Sequence, residues 1–306
     1  MLRYVIGRLL GAVPTLFVIV TVAFFLIRVA PGGPFNLERP LPPQIMANLE
    51  AYYGLDQPLF QQYLSYLQGL VTLDLGPSYV YRDFTVDELL LQGLPVSVQL
   101  GGTALLLALV VGAALGTYAA VRQNRPGDVG VMTLAMVGIT IPNFVMAPVL
   151  TLVLAIWLGW LPAGGWGEGS LLHKILPIFT LALPQIAIIA RLTRGSMIEV
   201  LRAHHIRTAR ASGLPPGVVT RRALRGALLP VVSYLGPAAA ALLTGSVVIE
   251  TIFGIPGIGR YFVQGALNRD YTLVMGTVVT VALFVVLFNL LVDLLYAVLD
   301  PKVRYD

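Results

Sequence analysis

Apolar and polar positions along this chain fall into long blocks. Leu9–Ile27 contains no charged residue, and further charge-poor apolar runs lie at roughly 96–121, 129–158, 174–193, 228–250 and 271–298. A hydrocarbon core of ~30 Å is crossed by ~20 helical residues, so each run predicts one membrane-spanning helix, six in all. The first run has 19 residues, longer than the ~7–15 of a signal-peptide core, and reads as an uncleaved first span within an N-terminal segment 1–30. Residues 31–95 form the longest stretch outside the spans and predict two short helices, Pro42–Tyr53 and Pro58–Leu70. In the second, Leu59, Tyr63, Tyr66, Leu67 and Leu70 recur at helical spacing. This segment suits a cap on one mouth of the bundle, and a docking surface for an external partner is compatible with that. Residues 96–306 form the core. Its spans carry Pro142, Pro148, Pro177, Pro184, Pro230 and Pro237, whose freed carbonyls need neighbouring helices, hydroxyls or cavity water. Gly112-x-x-x-Gly116 permits close helix contact.

Composition agrees with the pattern. The 306 residues are 57% hydrophobic and 11% charged, with mean hydropathy +0.82, against about 25% charged in soluble domains. The formal net charge of +5 therefore reports membrane topology and not nucleic-acid binding. With both termini inside, residues 1–8, 122–128, 191–225 and 301–306 hold 14 of the 20 Lys and Arg; Arg28, Arg39, Arg82, Lys174, Arg260 and Arg269 fall outside. The positive-inside rule selects this orientation. The outer segment 31–95 is correspondingly acidic, with seven acids against Arg39 and Arg82.

The polar island Arg191–Pro230 is the longest basic stretch, with eight arginines and one acid, Glu199. Within it a helical run reaches Ser212 and stops, because Gly213 supplies a left-handed residue and Pro215-Pro216 forbids continuation. A basic loop of this kind is commonly just solvated cytoplasmic chain. The small residues Ala209, Ala211, Ser212 and Gly213 would also let another protein approach the backbone closely.

Several chemistries are excluded. There is no cysteine, HExxH, GxSxG or GxxxxGK[ST], hence no thiolate site and no P-loop for ATP. His204 and His205 point about 100° apart on a helix and cannot share one metal from one face. Asp293 is read as the one acid inside a span, with Asn289 a turn before it; its nearness to the inner end favours a structural ion pair or hydration over a proton relay.

The run Ile206-Arg207-Thr208-Ala209-Arg210-Ala211-Ser212-Gly213-Leu214 resembles the cytoplasmic EAA loop of bacterial ABC importer permeases, in the form found in peptide permeases. Arg207 and Thr208 stand where the general motif has Glu and Ala, and the distance to Leu229-Pro230 is longer; both departures are shared with the peptide subfamily. The opening MLRYVIGRLLGAVPTLF, the loop Glu250–Tyr271 and the ending Asn289–Lys302 extend the resemblance over essentially the whole chain, towards the oligopeptide permease B type.

The resemblance implies an all-α, type I importer permease fold in the bacterial inner membrane, non-catalytic, without a cofactor of its own. ATP and Mg would be bound by two partner ATPase subunits; a homologous second permease and an extracytoplasmic peptide-binding protein would complete the assembly. It implies that Arg207, Thr208, Ala209, Arg210, Ala211, Ser212, Gly213 and Leu214, within a loop 194–227, form the coupling helix that docks into the ATPase. Arg210 would pair with an ATPase acid, and Ala209→Glu would uncouple hydrolysis from uptake. Polar residues on the spans (Ser97, Gln99, Asn143, Gln185, Thr244, Ser246) are candidates for the substrate path or for ordinary interhelical hydrogen bonds. Gly164, Gly165 and Trp166, in a Gly-rich loop that suits an interfacial aromatic belt or a flexible finger, and Pro256, Gly257 and Asp270 are candidate contacts for the binding protein. The cargo could instead be dipeptides, nickel chelates, glutathione or a peptide-like antibiotic. A stand-alone secondary transporter is the competing class, disfavoured because no inverted repeat or mid-membrane ion site is visible.

Overall fold

The computed structural model describes residues 2–29, 32–35, 42–81 and 83–299, and among them all regular structure is helical, with one isolated bridge between Pro77 and Thr85. Helix α1 runs Leu2–Val29, the short α2 and α3 run Pro43–Tyr52 and Leu59–Thr72, and α4 runs Val86–Val121. Then come α5 (Pro126–Thr140), α6 (Asn143–Leu150, continued by a π-helical turn Thr151–Trp157), α7 (Leu171–Leu201), α8 (His204–Ala211) and α9 (Pro216–Ala227). The chain closes with α10 (Leu229–Phe253), α11 (Ile258–Leu267) and α12 (Tyr271–Leu299). Among the described residues, five of these helices are long and apolar enough to cross a membrane, and α5 with α6 and its π-helical turn makes six if that pair, bent by 106°, counts as one span.

That bend corrects the expectation of a continuous third span over 129–158. Pro142 has no N–H to donate, and its ring drives Ile141 out of the helical region to φ −85°, ψ 118°. Pro177 and Pro184, by contrast, sit inside an unbroken α7. The second span begins ten residues earlier than the expected 96, at Val86, where Glu88 accepts a hydrogen bond from the Thr85 N–H at 3.1 Å. α7 likewise continues past the expected end at 193 into the basic island. The outer helices match the sequence reading, with Tyr63 the buried residue of α3, packed against Val20, Phe24 and Met275.

The centre of the bundle is the α4–α7 pair. At Gly112 a Cβ would lie 2.9 Å from the Ile186 carbonyl oxygen, and at Gly116 it would collide with the Ala190 carbonyl and Thr193. The Gly-x-x-x-Gly pattern therefore brings two backbones into contact where any larger residue would hold them apart. Leu100, Ala104, Ala108, Leu181, Ile189, Leu242 and Ile249 continue this layer as the main core.

Candidate functional site

The basic island folds as a helical module beneath the bundle. Ile206 on α8 and Val219, Ala223 and Ala227 on α9 close on Met197 of α7 and Ala120 of α4. The end of α8 is a Schellman motif: the Gly213 N–H donates to the Arg210 carbonyl at 3.0 Å and the Leu214 N–H to the Ala209 carbonyl at 3.3 Å, with Gly213 at φ +74°. Leu214 then tucks against the same apolar cluster. Arg207, Thr208, Arg210, Ala211, Ser212 and Gly213 are exposed on one side. Ala209 is 6% exposed and faces the module's own core. A glutamate there would have to displace the chain's own packing, whatever its effect on a partner.

α7 is fastened to α5 just above this module. Arg194 makes two parallel hydrogen bonds to Asp128, Nε to Oδ1 at 2.5 Å and Nη2 to Oδ2 at 2.7 Å, while the Asn124 N–H also donates to Oδ2 at 2.9 Å. The Asp128 side chain is 3% exposed and that of Arg194 26%. The forked geometry fixes the relative rotation of the two helices, which a single contact would not.

At the opposite end of α10 lies a second buried carboxylate that sequence reading missed. Glu250, fully buried, accepts from Ser97 Oγ at 2.7 Å and from the Gly259 N–H at 2.7 Å; Ser97 Oγ in turn accepts from the Ile258 N–H at 2.9 Å. Its carboxyl oxygens thus meet the free N–H groups that begin α11. Gly257 and Gly259 leave room for it: a Cβ at either would collide with Glu250 or with Val247. Asp293 is accordingly not the only acid in a span; its own side chain lies outside those described.

The remaining path candidates have specific partners. Gln185 Oε1 accepts from the Tyr234 hydroxyl at 2.8 Å, linking α7 to α10, and Gln99 Oε1 accepts from Lys174 Nζ at 3.2 Å. Ser246 Oγ donates to the Leu243 carbonyl at 2.7 Å. Asn143, just after the bend, has a buried Oδ1 with no hydrogen-bond partner. The Thr244 side chain lies outside those described. Ser97 and Ser246 are fully committed within the protein, which leaves Gln99, Asn143 and Gln185 with capacity for a passing polar group.

Of the candidate outer contacts, Pro256 is exposed, but Asp270 and Gly257 are buried. Asp270 is enclosed because it builds the corner before α12: Oδ2 accepts from Ser78 Oγ at 2.5 Å and from the Tyr79 and Val80 N–H groups, while Oδ1 accepts from the Leu273 N–H. Gly165 donates its N–H to the Phe253 carbonyl at 2.6 Å, and Trp166 lies 4.8 Å from Lys174 Nζ. Residues 164–166 are thus held against α10 and α7, not extended as a free finger.

Comparison with known proteins fits this geometry. Residues 112–305 match the family described as binding-protein-dependent transport system inner membrane component, and residues 1–100 match the family describing the N-terminal part of such membrane components. The chain belongs to this family. Among curated relatives, the oligopeptide transport system permease proteins OppB of Haemophilus influenzae and Salmonella typhimurium are 51% and 54% identical over 306 residues, all of both chains. The dipeptide transport system permease protein DppB of Bacillus subtilis is 46% identical over 305 residues, 99% of this chain and 98% of that one. This inner-membrane transport component therefore has the type I ABC importer permease fold, and its module at 194–227 occupies the region that carried the family resemblance.

Proposed function

We infer that this chain is the transmembrane permease subunit of an ATP-driven importer of oligopeptides. The observation that carries this is 51–54% identity, end to end, to proteins named as oligopeptide permeases. The 46% relative named for dipeptides keeps shorter peptides as a second cargo, less supported. Membership of a binding-protein-dependent system supports an extracytoplasmic binding protein and ATPase subunits as partners; we extend this to a homologous second permease and two ATPases.

In this reading the exposed side of α8 docks on an ATPase. Arg207 and Arg210 present guanidinium groups to acidic residues there, and Ala211 and Gly213 allow close backbone approach. Movement of the docked helix passes into α7 through the Ile206–Met197–Ala223 contacts, and from α7 to α5 through Asp128 and Arg194. The spans then alternate between outward and inward access, with Gln99, Asn143 and Gln185 offering polar contacts to the peptide backbone. Nucleotide drives the change only if it favours one conformer over the other. Purification of the C-terminally tagged chain from mildly solubilised membranes, with mass spectrometry of what accompanies it, tests the assignment. Recovery of ATPase subunits and a second permease is expected; a chain that purifies alone and drives uptake in vesicles without ATP would overturn it.

A further inference from the structure

Beside the outer end of α1 lies a cavity of ≈470 Å³ that the transport reading leaves unused. Arg28, Tyr53, Gln62, Tyr66, Asp74 and Tyr79 line it. Arg28 stands in the last turn of α1. Its guanidinium carbon lies 3.7 Å from the centre of the Phe24 ring, and its Nε donates to Gln62 Oε1 at 3.0 Å. Among the described residues no carboxylate pairs with this guanidinium. Asp74, on the same cavity, accepts instead from the Gly76 N–H at 3.0 Å. The Tyr66 hydroxyl is buried and has no hydrogen-bond partner. Burial pushes the Tyr66 and Tyr79 hydroxyls above the usual phenol range, against the lowering pull of Arg28, so both stay protonated donors.

A half-buried guanidinium with its terminal amino groups uncommitted matches a tetrahedral or planar anion, and a buried hydroxyl without a partner is costly unless something accepts from it. Position selects the anion. Phe25, one turn before Arg28 and beside it on the helix, is 40% exposed, and Leu26 and Val29 round the helix are 65% and 80% exposed, so this end of α1 presents an apolar surface suited to acyl chains up to the level of the arginine. The first anionic group available at that depth is a lipid phosphate. We propose that the cavity binds the phosphodiester of one outer-leaflet phospholipid, with Arg28 as its forked donor and Tyr66 as an additional one. The acyl chains lie along Phe25. This site is independent of the α8 docking face.

Native mass spectrometry of the assembled transporter, delipidated stepwise and then offered nanodiscs containing phosphatidylglycerol or diacylglycerol, tests the proposal. We expect one phosphatidylglycerol to remain per complex after the bulk lipid is stripped. Retention should fall at least tenfold in Arg28→Gln, fall less in Tyr66→Phe, and partly survive in Arg28→Lys, which controls for folding. Diacylglycerol, lacking the phosphate, should not be held. Equal retention in Arg28→Gln, or equal retention of diacylglycerol, would overturn the proposal. Displacement of the lipid by millimolar inorganic phosphate would overturn the lipid as occupant in favour of a free anion. Recovery of the ATPase subunits with the Arg28→Gln chain separates failure here from failure of the permease assignment.

Discussion

Two alanines two residues apart on α8 should respond oppositely to the same substitution. Ala209 is 6% exposed, on the buried side of α8 with Ile206, and Ala211 is exposed. Glutamate at 209 adds four heavy atoms and a charge on the buried side of α8. Overpacking alone costs about 1–3 kcal/mol, and an unpaired carboxylate that cannot reach water adds about as much again. About 3 kcal/mol or more is a large share of the stability of a module built on one small cluster. Glutamate at 211 costs the fold less than about 0.5 kcal/mol, since it stands in water, yet it places a bulky anion on the proposed docking face. The assay combines membrane abundance by quantitative immunoblot, ATPase copurification, and peptide uptake. Ala209→Glu should lower abundance. Ala211→Glu should accumulate normally, lose the ATPase subunits and fail to transport. An abundant Ala209→Glu chain that is uncoupled, beside a fully active Ala211→Glu chain, would refute the assignment of faces.

Other substitutions probe the packing that supports this face. Asp128→Asn and Arg194→Met should each destabilise by about 2–4 kcal/mol, because either leaves a partly desolvated group unpaired. In denaturant titrations of micellar protein the double variant should lose clearly less than the sum, and strict additivity would dismiss the fork as an energetic unit. Glu250→Gln should cost about 1–3 kcal/mol, since its amide presents N–H where the N–H groups of α11 need an acceptor; unchanged protease protection of the 251–270 segment would count against that. Gly116→Val should separate α4 from α7 and abolish both stability and uptake, whereas a Val at Gly101, where a Cβ meets nothing within 4 Å, should be tolerated in growth on peptides.

What could be read from sequence depended on how local its cause was. The end of α8 was legible because Gly213, Leu214, Pro215 and Pro216 dictate it within four residues. The close contact at Gly112 and Gly116 was legible as a motif, but not its partner on α7. The bend at Ile141–Pro142 was missed because hydropathy carries no direction: apolar residues flank it on both sides, and a proline was equally present in the straight α7. Ser97 was noticed only as a polar residue on a span, since its partner Glu250 lies 153 residues away. Asp128 and Arg194, 66 residues apart, gave no signal of pairing. The inward turn of Ala209 was hidden because small residues suit a crowded interior as well as an approached surface.

Under the proposed docking, the uninterrupted length of α7 sets where energy would enter the membrane subunit. Its 31 residues span about 46 Å at 1.5 Å per residue, some 16 Å more than a hydrocarbon core of ~30 Å. The surplus carries Thr193, Arg194 and everything after them clear of the acyl chains, so under the proposed docking the arginines of α8 would meet an ATPase in a medium where ions circulate. Attraction between them is then screened within about 10 Å at 0.1 M salt. Assembly with the ATPase should weaken as ionic strength rises, while the α4–α7 contact, sealed among apolar side chains, should not respond.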